Sequence, residues 1–340
     1  MKTLLCLLIA IAVGATLQYE GLPHGLLLGS ILSTALIASN LRFSPTLPLS
    51  LGYVQIVLGI ATGLMFKSWD SQTATALLPS LGVLFVCLLA QISFAGLWLF
   101  KVSGWNAKDS LIAVYPGALA AVFDLLESER ASSKVIVVHL VRLLSITVLV
   151  SFLIPGPVHL AFSESTALDM NTGLIALSLI VVCIVLGRVL LRIGVPAPFM
   201  LTAIIVTGVY IKFGYLQEFQ MPQWSVDFAT LILGVLIGAK FKDISLAELL
   251  RHGRAGVMSV GLMLLTAAAF AGIAARVLGS DPLTLWMAYM PGAIETITIV
   301  AFGGGLNVVF ILTHHLVRMM ALHFAPAVLV QARRWRQSEL

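Results

Sequence analysis

A histidine and an arginine stand three residues apart at two places inside long apolar runs. The first pair is His139 and Arg142, the second is His315 and Arg318, and both lie in the letters HLVR. Residues three apart on a helix share a face, and an arginine at the centre of a membrane helix costs about 2.5–3.5 kcal/mol. This face is expected to point toward a cavity or a partner inside the protein.

Pro-Gly pairs precede both motifs, and they leave two roles for the arginines open. Pro116 with Gly117, and Pro291 with Gly292, each lie about 25 residues before the arginine, and proline and glycine disfavour a continuous helix. In one role the arginines attract an anionic solute, the histidines handle protons, and the glycines let the solute approach the backbone. In the other, each arginine binds carbonyls freed at the break or pairs with an internal acid.

One carboxylate lies inside an apolar run. Glu295 follows Pro291 by four residues, and Thr296 and Thr298 add hydroxyls beside it. A buried carboxylate next to a helix break is typical of a cation or proton site, so these three residues are candidates for binding a coupling ion. The alternative is a buried ion pair between Glu295 and one of the two arginines.

The composition predicts an all-α, polytopic membrane protein. The 340 residues are 59% hydrophobic and 10% charged, whereas soluble domains carry about 25% charged residues. Apolar runs of about 20 residues, enough to span a bilayer, recur along the chain. The twelve predicted segments are 3–18, 22–40, 48–66, 73–100, 109–126, 134–154, 171–191, 195–215, 225–241, 256–278, 283–302 and 306–330. The polar stretches 155–170 and 242–255 are too short for a soluble domain, so we expect no nucleic-acid partner.

Several elements recur in the second half of the chain, at an offset of 175 or 176 residues. Pro23 matches Pro198, LGIATGLMFK at 58–67 matches LGVLIGAKFK at 233–242, and the PGA and HLVR elements also recur. The glycine pairs in the longer match have the spacing of helix-packing motifs. The chain is therefore predicted to hold a first membrane repeat at 1–160, a second at 161–330, and a basic cytoplasmic tail at 331–340.

The placement of lysine and arginine, which are enriched in cytoplasmic loops, predicts the topology. If all twelve segments cross the membrane, the charges outside the segments divide nine to nine. If the Pro-Gly segments five and eleven are re-entrant, they divide fifteen inside to three outside. Each repeat then has about five transmembrane helices plus one broken re-entrant segment, and the repeats are inverted, as in many secondary transporters. Both termini are predicted to be cytoplasmic, and the first segment to be retained rather than cleaved as a secretory signal.

The paired PGA and HLVR elements resemble the AbrB-type membrane protein family of bacteria, over essentially the whole chain. The first copy of the motif is Pro116, Gly117, His139 and Arg142, and the second is Pro291, Gly292, Glu295, His315 and Arg318. The first copy has alanines at 120 and 121, where the family commonly has an acid. The resemblance implies a location in the bacterial inner membrane. It also implies two functional labels, a regulator of gene expression and an ammonia monooxygenase.

These observations favour a secondary transporter or exporter of a small anionic or zwitterionic solute. The alternatives are a membrane-embedded regulator that acts indirectly on gene expression, and a metal-dependent monooxygenase. Of the seven histidines, His315 and His323 are the pair that shares a helix face two turns apart, and no carboxylate joins them. A metal site usually needs three or more convergent ligands, so no metal, cofactor or enzymatic activity is predicted. A homo-oligomer remains an open alternative to a monomer.

Overall fold

The fold is entirely helical over the residues that the structure, a computed structural model, describes. These residues are 2–43, 45, 47–68, 71–115, 133–154, 170–195, 197–216, 219 and 221–322. Within them the chain forms thirteen α-helices and no β-strand, which confirms the all-α prediction. The helices are α1 (Lys2–Tyr19), α2 (Gly25–Leu41), α3 (Ser50–Leu64), α4 (Ser71–Lys101), α5 (Ala107–Val114), α6 (Ser133–Leu153), α7 (Met170–Arg192), α8 (Pro198–Lys212), α9 (Gln223–Ala239), α10 (Leu246–Leu278), α11 (Pro282–Tyr289), α12 (Ile294–Gly303) and α13 (Val308–Leu322).

Seven of the described helical segments are long and apolar enough to cross a membrane. They are Lys2–Tyr19, Ser50–Lys67, Thr75–Lys101, Lys134–Leu153, Gly173–Arg192, Gln223–Lys242 and Ala247–Leu278. Helices satisfy their backbone polar groups internally, which is what a lipid environment requires of a spanning segment. Length and composition therefore fit a helical membrane protein.

Two predicted segments differ from the helices that form. The predicted segment 283–302 is two short helices, α11 and α12, because the chain leaves the helical conformation around Pro291. The predicted polar stretch 242–255 is wrong from Leu246 onward, since α10 starts there and not at residue 256. A helix of 33 residues is about 50 Å long, well beyond the roughly 30 Å hydrocarbon core. Its charged first turns can therefore extend past the lipid tails.

The chain divides into two compact units, each built from separate stretches. The first unit contains Met1–Thr75, Leu143–Ala247 and Gly292–Ile311. Its helices pack closely through the two predicted glycine motifs, as the contacts of α3 with α8 show. A Cβ on Gly59 would lie 2.6 Å from the Cβ of Ala203 and 2.8 Å from the carbonyl oxygen of Met200. The packing role predicted for this glycine is therefore confirmed.

The second glycine motif brings α9 against α2 in the same way. A Cβ on Gly238 would lie 2.7 Å from the carbonyl oxygen of Ile31, and a Cβ on Gly234 would lie 2.8 Å from that of Leu27. Because Gly234 meets an earlier residue of α2 than Gly238 does, the two helices run in the same direction. Gly63, which meets Thr207 of α8, follows the same order after Gly59, so α3 and α8 also run parallel.

The pairing of Pro23 with Pro198 is wrong by two residues. A left-handed residue precedes both helices, His24 (φ 53°) before α2 and Ala197 (φ 47°) before α8. The positions 24 and 197 are 173 residues apart, so this part of the two halves has a different offset from the rest. The difference arises because the polar connections that follow α2 and α8 have unequal lengths.

The second unit contains Ala76–Arg142, Glu248–Pro291 and Leu312–Leu340. It holds α5, α11, most of α4 and α10, and the parts of α6 and α13 that carry the histidines and arginines. Each unit takes residues from both predicted repeats, so a repeat of sequence does not coincide with a compact body. The boundaries 1–160 and 161–330 stay a prediction, and the tail 331–340 lies outside the described residues.

Candidate functional site

The first His–Arg pair lies on α6 and binds the end of α5. His139 Nε2 is 3.0 Å from the carbonyl oxygen of Ile112, and Arg142 Nη1 donates to the carbonyl oxygen of Tyr115 at 3.2 Å. The two side chains also contact each other, with Arg142 Nη2 2.7 Å from His139 Nδ1. The pair therefore occupies the last turn of the short helix α5 and the residue that follows it.

The second pair lies on α13 and makes the same three bonds to α11. His315 Nε2 is 2.9 Å from the carbonyl oxygen of Met287, and Arg318 Nη1 donates to the carbonyl oxygen of Met290 at 2.6 Å. Arg318 Nη2 is 2.9 Å from His315 Nδ1. The partner residues 112 and 287, and 115 and 290, are each 175 apart, so the repeated sequence carries a repeated set of bonds.

The bonds fix the protonation state of both histidines. A guanidinium group has donors and no acceptor, so the Nδ1 atoms of His139 and His315 accept from the arginines. A neutral imidazole that accepts at Nδ1 carries its proton on Nε2, and that N–H donates to the carbonyl oxygen. Adding a proton at Nδ1 would remove the arginine's acceptor, so these histidines are neutral in this arrangement.

The arginines lie where a cation is favoured electrostatically. The carbonyls at the C-terminal end of a helix have no intrahelical partner, and the helix dipole concentrates negative charge there. Arg142 and Arg318 each bind the carbonyl of the residue directly before a Pro-Gly pair. Of the two roles left open by the sequence, the described bonds are those of carbonyl binding at the break. The solute-binding role of Arg142, Arg318, His139 and His315 stays a prediction.

Burial makes the second pair an unusual feature. Arg318 is 1% exposed and His315 is 0% exposed, and Arg318 is the largest fully buried side chain of the described residues. His139 is also buried, at 4%, while Arg142 is partly exposed. A charged side chain withdrawn from water this far needs fixed polar partners, and the carbonyl oxygen of Met290 and the imidazole of His315 provide them.

The Pro-Gly pairs are described in the second copy alone. Pro116 and Gly117 lie outside the described residues. Pro291 and Gly292 lie in the non-helical stretch between α11 and α12, so the predicted break is present there. A Cβ on Gly292 would lie 3.0 Å from two side-chain carbons of Ile297, which explains why a glycine suits this position. Their proposed contact with a solute stays a prediction.

A buried polar cluster near this break was missed by the sequence analysis. The Ser80 hydroxyl is 2.8 Å from both the Tyr289 hydroxyl and His314 Nε2. Gln91 Nε2 donates to the carbonyl oxygen of Tyr289 at 3.0 Å, and all four side chains are at most 1% exposed. The cluster lies within the second unit, on α4, α11 and α13.

The two halves differ at the positions of this cluster. Tyr289 corresponds to Val114 at the offset of 175, and His314 corresponds to Val138 at the offset of 176. Both valines belong to a buried apolar cluster with Leu99 and other side chains. A comparison of the halves residue by residue could have indicated this polar cluster, because hydroxyl and imidazole groups stand in one copy where the other copy has valine.

The predicted coupling-ion residues lie in the first unit. Glu295 is in the first turn of α12, where the helix dipole favours a carboxylate, and its Oε1 accepts a bond from Gln55 Nε2 at 3.1 Å. The hydroxyl of Thr298 donates to the carbonyl oxygen of Ile294, and the buried Thr296 hydroxyl has no hydrogen-bond partner. Adjacent helical residues do not face each other, so Glu295 and Thr296 do not converge on one point from α12 alone.

No group of three His, Cys, Asp or Glu side chains that could hold a metal ion occurs among the described residues. Of the seven histidines, His139 and His315 already use both ring nitrogens in the bonds given above. In the described part of the chain, no cofactor-binding arrangement replaces the missing ligand sets. The available chemistry is that of buried hydrogen-bonded arginine, histidine and hydroxyl groups at broken helices.

Comparison with known proteins agrees with the resemblance seen in the paired motifs. A family model described as "Transition state regulatory protein AbrB" matches residues 26–334. A protein of Escherichia coli (strain K12) named "Putative regulator AbrB" is 23% identical over 246 residues, which cover 71% of this chain and 70% of that protein. The range matched by the family model includes both His–Arg pairs, both Pro-Gly pairs and Glu295.

Proposed function

The chain belongs to the AbrB family, and we propose that it is a secondary transporter or exporter of a small anionic or zwitterionic solute in the bacterial inner membrane. The observation that carries this proposal is the buried Arg318, which holds the end of a broken helix. Irregular backbone is tolerated at membrane depth where it is enclosed by protein or lines a cavity. Discontinuous helices of this kind form the substrate sites of many secondary transporters.

The proposed architecture is a pair of inverted repeats. Two observations support it: the same His–Arg bonds recur 175 residues apart, and the glycine contacts pair α3 with α8 and α9 with α2. Each glycine helix thus pairs with the second helix of the other half, as expected when two copies of one module interlock. In this architecture the Pro-Gly segments are re-entrant and both termini are cytoplasmic.

The solute class follows from the charges. Arg142 and Arg318 are the arginines inside apolar helices, and each has further N–H groups in its five-donor fork beyond one carbonyl and one imidazole. A carboxylate or phosphate is the preferred partner of such a fork. Glu295, with Gln55 and the hydroxyls of Thr296 and Thr298, is the proposed site for a coupling cation or proton, since a carboxylate balances positive charge.

The direct test is flux through the purified protein. Proteoliposomes are loaded with a defined mixture of carboxylates and amino acids, and the external medium is followed by mass spectrometry. At least one solute is expected to leave faster than from protein-free liposomes, and Glu295→Gln should slow it while leaving thermal stability unchanged. Glu20→Gln, at an exposed residue after α1, is the matched control. Equal release with and without protein would refute the transport proposal for these solutes.

A membrane-embedded regulator is the second candidate, favoured by the names of the matched family and of the E. coli relative. Such a protein would alter gene expression through a metabolite or a partner, since we expect no direct contact with nucleic acid. The two functions separate in a deletion strain that carries Glu295→Gln. Transcript levels restored by this variant despite lost flux would favour the regulator, whereas transcripts that follow flux would favour the transporter.

We do not propose an enzyme. The names of the matched family and relative describe a regulator, and the described side chains do not form a metal centre. Metal analysis of the purified protein tests this: copper or iron bound in stoichiometric amount would favour the monooxygenase. A homo-oligomer is compatible with the transporter and is tested by the mass of the detergent-purified protein.

A further inference from the structure

The first unit contains an apolar cavity that none of the preceding functions uses. Its volume is about 440 Å³, which is within the range of small-molecule sites. It lies between α3 and α7 and extends to the starts of α8 and α9. The described lining residues are Leu49, Gly52, Tyr53, Ile56, Val57, Ile60, Ala176, Leu179, Ile180, Ile184, Arg188, Phe199, Phe219, Met221, Pro222, Trp224 and Ser225.

The length of the cavity matches one leaflet of a bilayer. Along α7 its lining runs from Ala176 to Arg188, and twelve residues of helix correspond to about 18 Å. Half of a hydrocarbon core of roughly 30 Å is about 15 Å. The cavity could therefore take up a linear hydrocarbon chain that runs from the headgroup level toward the bilayer centre.

One end of the cavity is polar and the rest is not. Arg188 is the charged member of the described lining, and no carboxylate occurs among these residues. The ring of Phe199 lies against Gly187 and also next to Gly52, so the start of α3 is at the Arg188 end. Tyr53, whose hydroxyl donates to the carbonyl oxygen of Ser225, is therefore at this end too, together with Trp224.

These features are those of an interface between lipid tails and headgroups. Tyrosine and tryptophan are enriched at the headgroup level of membrane proteins, and an arginine near a helix end extends its guanidinium toward that level. Arg188 lies four residues before the end of α7 and is exposed, so its fork is available to a phosphate. An arginine binds phosphate through two parallel hydrogen bonds.

We propose that this cavity binds an anionic membrane phospholipid, with an acyl chain between α3 and α7 and the phosphate at Arg188. The apolar lining contributes the chain site and excludes free inorganic phosphate as the occupant. The positive charge selects anionic over zwitterionic headgroups. The site is independent of the proposed transport function, because it uses none of the residues assigned to solute or coupling ion.

Trp224 provides a spectroscopic probe within the site. The other five tryptophans, Trp69, Trp98, Trp105, Trp286 and Trp335, are replaced by phenylalanine, and the protein is reconstituted with lipids brominated near the headgroup, which quench indole fluorescence on contact. Brominated phosphatidylglycerol is expected to quench Trp224 at several-fold lower mole fraction than brominated phosphatidylcholine. The lipids retained by the chain with all its tryptophans, measured by mass spectrometry after purification in detergent, should show the same preference.

Three variants locate the preference. Arg188→Gln should abolish the preference for the anionic lipid, and Ala176→Phe, which fills the cavity, should reduce quenching by both lipids. Arg192→Gln is the matched control, because Arg192 ends the same helix outside the lining, and it should leave the preference unchanged. Equal quenching by both lipids, or equal effects of Arg188→Gln and Arg192→Gln, would overturn the proposal. Protection of Trp224 from both lipids in a cross-linkable dimer would also overturn it, since a second copy would then cover the cavity.

Discussion

Arg318 binds the carbonyl oxygen of Met290, the residue directly before Pro291, at a donor–acceptor distance of 2.6 Å. Arg142 binds the carbonyl oxygen of Tyr115, directly before Pro116, in the same way. A helix that stops leaves its last carbonyls without N–H partners, and in an apolar surrounding no water is available to replace them. The two arginines therefore make these helix breaks affordable inside the protein.

Replacing Arg318 should destabilise the fold. In Arg318→Met the carbonyl of Met290 and the Nδ1 of His315 lose their donor, and leaving a buried acceptor unsatisfied costs about 1–3 kcal/mol. Arg318→Lys should have a smaller effect, because one ammonium group can reach an acceptor but cannot form the fork. Thermal unfolding in detergent measures both changes.

The control for this prediction is an arginine of the same chain without such a role. Arg276, in the last turn of α10, is exposed, so Arg276→Met is expected to leave the unfolding midpoint unchanged. If Arg318→Met unfolds at the same temperature as the parent protein, carbonyl binding does not stabilise the break. The arginine would then be kept for its solute alone.

The two short helices should respond differently to acid, because their N-caps differ. Asp281 accepts a bond from the N–H of Thr284 at the start of α11, and Asn106 accepts one from the N–H of Asp109 at the start of α5. Partial burial raises the pKa of Asp281, but hydrogen bonds from Thr284 and Leu283 outweigh it, so the pKa is below its ordinary value. Asn106 does not titrate.

A carboxyl group whose pKa is lowered on folding stabilises the protein above its unfolded pKa, and this stabilisation is lost as the pH falls through the folded pKa. Asp281→Ala should therefore cost about 1 kcal/mol near neutral pH and progressively less in acid. Asn106→Ala should have the same cost at both pH values. Unfolding midpoints of the two variants at neutral and acidic pH provide the check, and a pH-independent effect of Asp281→Ala would contradict it.

The apolar pattern predicts most of the fold because burial in lipid depends on residue type over about 20 positions. The bounds of α1, α4, α6 and α7 are within two or three residues of the predicted segments. The break in segment eleven was also predictable, since proline and glycine act locally. The start of α10 was not, because charged residues such as Arg251 and Arg254 lie in a helix that outruns the lipid, and hydropathy carries no signal there.

The candidate site was predictable in part, for a different physical reason. The His–Arg pairs are visible as charges in apolar runs, but their partners are backbone carbonyls, which every residue has and no sequence pattern marks. The polar cluster of Ser80, Tyr289 and His314 was missed because α4, α11 and α13 are distant in sequence. Single hydroxyl groups in apolar helices are common, so they indicate a site only when their contacts are known.

The glycine motifs should be intolerant of a single methyl group. Gly59→Ala places its Cβ 2.6 Å from the Cβ of Ala203 and 2.8 Å from a backbone oxygen, and overpacking of this kind costs about 1–3 kcal/mol. Gly82, on α4, has no neighbour within 4 Å of such a Cβ. Gly82→Ala should be neutral or stabilising by up to about 1 kcal/mol. Thermal unfolding compares them, and equal midpoints would mean that α3 and α8 separate without penalty.

The re-entrant topology of segment eleven is tested by labelling residues on either side of it. Cys6, Cys87 and Cys183 are buried, so they should react little with a membrane-impermeant maleimide, and each is replaced by alanine for this purpose. Ser280→Cys and Leu306→Cys then flank α11 and α12. A re-entrant segment leaves both cysteines accessible from the periplasmic side of intact cells, whereas a crossing segment exposes them on opposite sides.

The Ser80 hydroxyl should contribute more to stability than the Tyr289 hydroxyl does. Ser80 Oγ is 2.8 Å from both Tyr289 Oη and His314 Nε2, so Ser80→Ala removes a partner from two buried polar groups. Tyr289→Phe removes a partner from Ser80 and takes its own polar atom away with it. Because an unsatisfied buried group costs about 1–3 kcal/mol whereas removal of both partners of a bond can be nearly neutral, the variant Ser80→Ala with Tyr289→Phe should lose less than the sum of the single variants. Unfolding midpoints of the single and double variants, with Ser39→Ala as an exposed control on α2, give the coupling. Strictly additive losses would mean that the three side chains do not act as one network.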